Sequence, residues 1–327
     1  MTLPRRRIGT LGPEVSVLSL GSWHTYDRID FHAGVDLVRQ AVEAGVNFFD
    51  VGVYSGFPIT EGGPVYHGFT DVIFGRLIEK AGVKREDYVL SEKLWLEGFP
   101  QHSFAAQLDR ALYRVNTHYA DFAVLGDIRG ETPDLRRMVL ELGELVREGK
   151  LHAWGVNNWS VEHIRAVHEL ALAEGVPGPQ LAQLKYSLCR RDMAEADAYR
   201  ELFAETGISL EASDVLEGGI LAGRSGADRM IGRDPGGIRE RIKELAPRAA
   251  QVAEELGGTA AQLSIALTLT NPALATVLVG VTRAEQLQDN LGALDLLDRH
   301  GAAVIREKTD EFWLDRDPAP IAKGDAS

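Results

Sequence analysis

Several short apolar runs in this chain end in a residue able to do chemistry. Asp50 closes Asn-Phe-Phe-Asp, Lys93 closes Tyr-Val-Leu-Ser-Glu-Lys, Asn157 and Asn158 close Trp-Gly-Val-Asn-Asn, and Gln183 lies within Leu-Ala-Gln-Leu. Each alone reads as a strand end meeting solvent; together they read as one polar rim. A lysine and an aspartate at neighbouring strand ends make a pair that tunes proton affinity. A tyrosine hydroxyl, with an ordinary pKa of about 10, becomes a usable proton donor when a cation beside it stabilises the phenolate. The carboxylate would keep that lysine charged and oriented. Tyr54, four residues after Asp50, is the candidate hydroxyl.

The elements that must position these groups alternate along the chain. Apolar runs at 15–20, 47–50, 88–93, 122–125, 153–157, 181–184, 209–212 and 276–279 predict eight strands. Amphipathic stretches such as 34–44, 69–81, 103–114, 135–148, 161–172 and 195–205 predict helices between them, with Ser103 and Ser160 placed as N-caps. Eight strand–helix steps with no domain-sized linker predict an α/β fold, a closed (β/α)8 TIM barrel spanning 1–327 as one domain. No G-x-G-x-x-G follows any predicted strand, so a nicotinamide cofactor would bind in a non-Rossmann way. Two long stretches break the alternation: a Gly- and Pro-rich insertion at 55–68 and a segment at about 218–237. Both fall on the C-terminal face, where barrel enzymes build their sites. Residues 310–327 read as a C-terminal tail.

The 327 residues carry 45% hydrophobic and 25% charged side chains, an ordinary globular composition. The formal charge of −13 opposes a surface that tracks phosphates, so neither nucleic acid nor anionic membrane is an expected partner. Cys189 is the sole cysteine, which rules out an internal disulfide, fits a reducing compartment and reads as a core thiol. Residues 1–7 are basic with no apolar stretch behind them, so no secretory signal is expected, and no membrane-length apolar run exists. A cytoplasmic location is the default expectation. No His/Asp/Glu cluster has metal-ligand spacing, so no metal is expected. The oligomeric state is left open.

The stretches Leu-Ser-Leu-Gly-Ser-Trp (18–23), Asn-Phe-Phe-Asp (47–50), Leu-Ser-Glu-Lys (90–93) and Gly-Val-Asn-Asn-Trp-Ser (155–160) resemble landmarks of the aldo-keto reductase superfamily. So do Gln-Leu-Lys-Tyr-Ser-Leu (183–188), Gly-Gly-Ile-Leu-Ala-Gly-Arg (218–224) and Glu-Gln-Leu-Gln-Asp-Asn-Leu (285–291). They occur in family order over nearly the whole chain and look most like the group of potassium-channel beta subunits and related bacterial reductases. The resemblance implies an NADP(H) lying extended across the barrel mouth. It implies Asn157, Asn158 and Gln183 around the nicotinamide carboxamide, with Gly21, Ser22 and Trp23 lining the same end. Leu216, Gly218, Leu221, Gly223 and Arg224 would clasp the pyrophosphate. Gly280, Thr282, Arg283, Gln286, Asp289 and Asn290 would meet the adenosine and 2′-phosphate, at a helix start whose free N–H groups suit an anion.

The resemblance also implies a catalytic Asp, Tyr, Lys and His, which this chain matches only in part. Asp50 and Lys93 align. Tyr54 stands four residues after Asp50 rather than the family's five, and Tyr66 in the insertion is an alternative, nearly correct when counted back from Phe74 and Gly75. Tyr54 is preferred because it stays near the strand end that orients Asp50. Gly126 stands where the histidine is expected, with no side chain to polarise a carbonyl and with room for a bulkier substrate; Asp127 beside it could reach that space if its pKa were raised. Ala212-Ser-Asp-Val-Leu replaces the family's aromatic-Ser-Pro-Leu, so Ser213 cannot stack on the nicotinamide, and Asp214 must point away from phosphates or pair with Arg224. Trp23 and Trp95 are expected to wall the substrate pocket. The expected function is an NADP(H)-dependent reductase of a C=O, C=N or conjugated C=C bond in a small organic substrate. The alternative is a weakly catalytic or non-catalytic NADP(H)-binding accessory or sensor protein.

Overall fold

The computed structural model describes residues 3–58, 65–224 and 234–316; for 55–58, 65–67 and 235 it describes the backbone alone. In chain order the elements are β1 (Arg5–Arg7), β2 (Glu14–Ser16), β3 (Leu18–Gly21), α1 (Phe31–Glu43), β4 (Phe48–Val51), β5 (Ser55–Pro58), β6 (Val65–His67), α2 (Thr70–Ala81) and β7 (Val89–Leu94). Then come α3 (Phe104–Val115), β8 (Ala120–Leu125), α4 (Leu135–Arg147), β9 (Leu151–Asn157), α5 (Val161–Glu174) and β10 (Leu181–Lys185). The chain continues with α6 (Asp192–Glu195), α7 (Asp197–Thr206), β11 (Ser209–Ser213), α8 (Arg239–Glu255), α9 (Ala260–Leu269), β12 (Leu274–Val279) and α10 (Ala284–Thr309), the last broken at Gly301. Strands β3, β4, β7, β8, β9, β10, β11 and β12 pair in parallel and close into a barrel. This is the single-domain (β/α)8 TIM barrel that the alternation predicts. Ser103 and Ser160 cap α3 and α5 through bonds to the backbone N–H of Ala106 and His163.

The predicted strand at 15–20 is two strands. Val17 breaks it, because Ser16 Oγ turns back onto the Leu18 carbonyl at 2.6 Å and the Asn47 side chain takes the Ser16 N–H at 2.7 Å. The first half then pairs antiparallel with β1, an element absent from the sequence reading, and only β3 enters the barrel. The hairpin is the plug. Ile8 and Val15 pack with Phe48, Val89, Phe122, Val124, Ala153, Leu181 and Ala275 into an apolar cluster at the bottom of the barrel, separate from the larger core between barrel and helices. The predicted helix at 195–205 is likewise two, α6 and α7, divided at Ala196.

Above the plug the interior turns polar. Side chains alternate along a strand, so Ser91 and Lys93 share the inward face of Val89, and Asp50 shares that of Phe48. Gln183 sits opposite both Asn157 and Glu211, and Glu211 sits opposite Thr276. A barrel interior is ordinarily filled with bulky aliphatic side chains. Here its upper layer is hydroxyls, carboxyls, an amide and an ammonium, and they exist to face the mouth.

Gly155 lets β9 and β10 meet beside Leu181. A Cβ there would lie 2.3 Å from the Leu181 carbonyl oxygen and 2.9 Å from Leu181 Cβ, and a backbone atom inside a closed sheet cannot step aside. Gly155→Ala is expected to cost about 3 kcal/mol or more in urea unfolding. A change within about 0.5 kcal/mol would contradict this packing.

Candidate active site

Four strands, β4, β7, β10 and β11, bring the first constellation together. The Lys93 ammonium contacts Asp50 Oδ2 at 3.3 Å and donates to Gln183 Oε1. Gln183 Nε2 donates to Asp50 Oδ2 at 3.1 Å and to Glu211 Oε2 at 2.9 Å. Asp50, Lys93 and Gln183 are buried, and Glu211 is fully so. An ammonium and a carboxylate out of water are tolerable only when paired and hydrogen-bonded, and this quartet meets that condition with a single cation. Burial, then the neighbouring Asp50 charge, push the Glu211 carboxyl up to about 8 despite Lys93. On the opposite face of β7, Glu92 is fully buried with neither oxygen bonded; burial first, then Asp71 and Asp50, hold it well above the carboxylate range, so it is neutral.

Tyr54 joins the site by folding back over Gly52. A Cβ at position 52 would lie 2.9 Å from both Lys93 Cβ and Tyr54 Cζ, so only glycine lets the ring lie against the lysine stem. Two indoles bracket the ring: Trp23 at 6.2 Å, and Trp95 edge-on at 5.7 Å. The hydroxyl bonds to Ser22, not to Lys93. The expected lysine-assisted lowering of this phenol is therefore corrected. Burial, followed by the charges of Asp50, Glu92 and Glu211, raises it well above 10. The reason is that desolvation of the buried ring, the largest effect, disfavours the phenolate. Tyr66 lies on β6 opposite Phe57, and the position of its side chain is outside the described residues, as is that of His67. His24 packs on Trp23 with ring centres 4.8 Å apart.

Gly126 directly follows β8 as a buried residue, but the space beside it is not open to a substrate. A Cβ there would meet Trp95 Cε3 at 3.0 Å. The indole lies in that volume, held by its Nε1 bond to the Val53 carbonyl at 3.1 Å and by Gln107, which accepts from the Trp95 N–H at 2.7 Å. The expectation that Gly126 enlarges the pocket is thus overturned: Trp95 fills the space from the neighbouring strand end. The Gly126 carbonyl in turn accepts from Trp159 Nε1 at 2.8 Å.

Asp127 does not reach toward Asp50 and Lys93. Its Oδ1 accepts from the Asn157 amide and, at 3.2 Å, from that of Asn158, while Asn158 Oδ1 holds the Lys185 N–H at 3.0 Å. All three amides expected around a nicotinamide are therefore engaged within the protein, Gln183 inward and the asparagines on Asp127. Asp214 pairs with Lys185 at 2.7 Å rather than with Arg224. Beside it, buried Arg190 spans Glu217 at 3.2 Å and Asp234, and the Ser187 hydroxyl donates to Glu217 at 2.6 Å. Lys185, Arg190, Glu211 and Glu217 were not singled out as functional in the sequence reading. Glu211 had a legible signal, a lone carboxylate in register with Gln183 on the next strand. Arg190 and Glu217 had none, since their pairing spans 27 positions.

The remaining expected residues lie on one arc of the mouth. Gly21 ends β3, Ser22 and Trp23 follow it, and Ser22 Oγ accepts the Gly52 N–H at 3.3 Å. Leu216, Gly218, Leu221, Gly223 and Arg224 form a tight turn over 216–224 after β11; Gly218 and Gly223 take φ of 68° and 82°, and Arg224 is exposed. Gly280 approaches Thr25 Oγ1 to within 3.7 Å of its absent Cβ. Gln286 accepts the Thr282 N–H at 2.9 Å, and Arg283 stands exposed at the start of α10. That start has no side-chain cap, whereas Asp30, Ser103, Asp134, Ser160 and Thr259 cap α1, α3, α4, α5 and α9. Asp289 bonds to Thr259 and Gln262, and Asn290 is buried. Trp313 lies between Arg191 and Arg316, beside buried Cys189, whose thiol burial pushes up to about 12. The tail to Arg316 therefore packs on the 189–192 segment.

The aldo/keto reductase family model matches residues 17–308, and the chain belongs to that family of oxidoreductases. A Schizosaccharomyces pombe protein named as a voltage-gated potassium channel subunit beta is 25% identical over 95% of this chain and 93% of its own. An Arabidopsis thaliana protein with the same kind of name is 27% identical over 89% and 91%. Among solved structures, one titled as a 2,5-diketo-D-gluconic acid reductase B superposes with a TM-score of 0.65 at 19% identity, covering 90% of this chain and 88% of that one, a likeness of fold. No helix among the described residues is long and apolar enough to cross a membrane.

Gly126 and Trp95 are a coupled pair, which a double-mutant cycle tests. Gly126→His alone is expected to cost roughly 1–3 kcal/mol by overpacking against the indole. Adding Trp95→Ala should recover part of that loss, a coupling of about 1 kcal/mol or more in thermal or urea unfolding. Strict additivity would show that the two do not share the space.

Proposed function

We propose that this chain is an NADP(H)-dependent reductase that delivers hydride to a C=O, C=N or conjugated C=C bond of a small organic substrate. The observation that carries the reading is the buried Asp50–Lys93 pair at the barrel mouth with Tyr54 folded over Gly52 beside it. Family membership supports a nicotinamide cofactor, and the adenosine end fits one best. The uncapped start of α10 offers free N–H groups beside the exposed Arg283 cation, and Arg224 stands exposed at the end of the glycine turn. The nicotinamide end fits through exchange: Asn157 and Asn158 would trade Asp127 for the carboxamide. When bound, the cofactor supplies the hydride.

This chain's own residues do the rest. Trp23, Tyr54 and Trp95 wall the mouth and keep water from the reacting carbon. Tyr54 holds the proton, and a phenol raised above 10 still transfers it to an alkoxide or enolate, which is the stronger base. Lys93 neutralises Asp50, so that the hydroxyl does not face an uncompensated carboxylate. Gly126 presents no group to polarise a neutral ketone. Substrates already activated, such as an enone or a protonated imine, are therefore favoured.

The test is titration of the purified protein with NADPH and NADH by tryptophan quenching and calorimetry, followed by a screen of carbonyls, enones and cyclic imines. NADPH is expected to bind at least about tenfold more tightly than NADH, a difference of about 1.4 kcal/mol. Tyr54→Phe should then lower kcat by about a hundredfold or more with little change in NADPH affinity, whereas Tyr66→Phe should not. The reverse pattern would transfer the proton donor to Tyr66, and binding of neither nucleotide would end the reading. A second reading, an NADP(H)-binding accessory or sensor protein, is favoured by the Tyr54 hydroxyl resting on Ser22 and by the channel-subunit names of the relatives. Tight NADPH binding with no turnover of any compound class would select it.

A further inference from the structure

Two carboxyl groups and one ammonium share the inside of this barrel. The Gln183 amide stands among them, and its orientation is dictated by chemistry. Lys93 can only donate, so it takes the amide oxygen, and the amide nitrogen is left to donate to Asp50 Oδ2 and Glu211 Oε2. Of the two carboxyl groups, Asp50 contacts the ammonium and Glu211 does not, its bond going to the Gln183 amide instead. The groups facing Glu211 are Asp50 from β4, Lys93 from β7, Gln183 from β10, and the hydroxyls of Ser19 and Thr276 from β3 and β12. Tyr54 adds a phenol from the loop after β4. One positive charge cannot neutralise two carboxylates in a space that excludes water, so one of the two must be neutral.

We propose that Glu211 stores a proton beneath the Asp50–Lys93 pair and is a positioning residue for Gln183, with its ionisation setting an upper pH limit on the site. The proton belongs on Oε1, because Oε2 already accepts from Gln183. Neutral Glu211 leaves Lys93 to Asp50 and holds the amide turned inward. Loss of that proton to the water at the mouth puts a second negative charge beside Lys93. The new carboxylate competes with Asp50 for the ammonium and makes Tyr54 harder to ionise.

A carboxyl raised in the folded state contributes stability that is complete below its unfolded pKa and is lost as pH rises toward the folded one. For Glu211 that window runs from the ordinary glutamate value of 4.5 to about 8. Glu211→Gln keeps an acceptor for Gln183 and removes the titration. The difference in Tm, variant minus wild type, is therefore expected to rise by about 2 °C or more between pH 5 and pH 8 and to level off above it. Parallel curves would overturn the proposal. If the variant does not fold, infrared spectroscopy of the wild type and of Asp50→Asn decides. The protonated-carboxyl stretch should titrate near 8 in the wild type, and at least one pH unit lower in Asp50→Asn, where Glu211 inherits the ammonium. An unchanged midpoint would overturn it equally. The effect on turnover rests on the reductase reading: NADPH oxidation should fall above pH 8 in the wild type and lose that limb in Glu211→Gln. A limb that persists in the variant removes Glu211 from the pH limit. Absence of turnover in both proteins would count against the reductase reading alone, because the Tm difference reports the stored proton without any substrate.

Discussion

The Lys93 ammonium, shared between Asp50 and Gln183 inside a closed barrel, is the interaction on which the rest of the site depends. A buried cation must be compensated, and the groups that compensate it come from different strands, so the barrel must close in the correct register for the charge to be tolerable. The β1–β2 hairpin seals the bottom with an apolar cluster, which allows the upper layer to be polar without opening a water channel from below. The polar layer, in turn, brings Asp50, Lys93 and Glu211 together inside the barrel. Glu211 and Glu92, one inward and one outward of the barrel wall, are held neutral by the same burial that makes the Asp50–Lys93 attraction strong.

Around that centre the mouth is built by exchange of space and of partners. Glycine at 126 removes a side chain, and the indole of Trp95 moves into the vacancy and stiffens one wall. Glycine at 52 removes another, and the Tyr54 ring lies in it. Asp127 collects two asparagine amides, and Asp214, Glu217 and Asp234 collect the cations Lys185 and Arg190. Every polar group a cofactor would use at the nicotinamide end thus has an internal partner, and binding there replaces one set of bonds with another of similar strength. The α10 start differs. It has no side-chain cap at Arg283, so an anion there meets first-turn N–H groups that no side chain caps.

The sequence by itself determined the architecture and the rim. Alternating apolar runs and amphipathic stretches are local consequences of strand and helix periodicity, so eight parallel strands, the serine caps at 103 and 160, and the placing of Asp50, Lys93, Asn157, Asn158 and Gln183 at strand ends were legible without coordinates. Motif order carried the family. Only the tertiary structure decided what those residues touch. Whether position 126 is empty depends on where a side chain from another strand end points, and no spacing rule relates Trp95 to it. Whether Tyr54 meets Lys93 or Ser22 depends on a backbone turn at Gly52. The split at Val17 depends on Asn47, 30 residues on, taking the backbone of Ser16. Charge balance is the deepest of these decisions, because it is a sum over strands that are neighbours only once the barrel has closed.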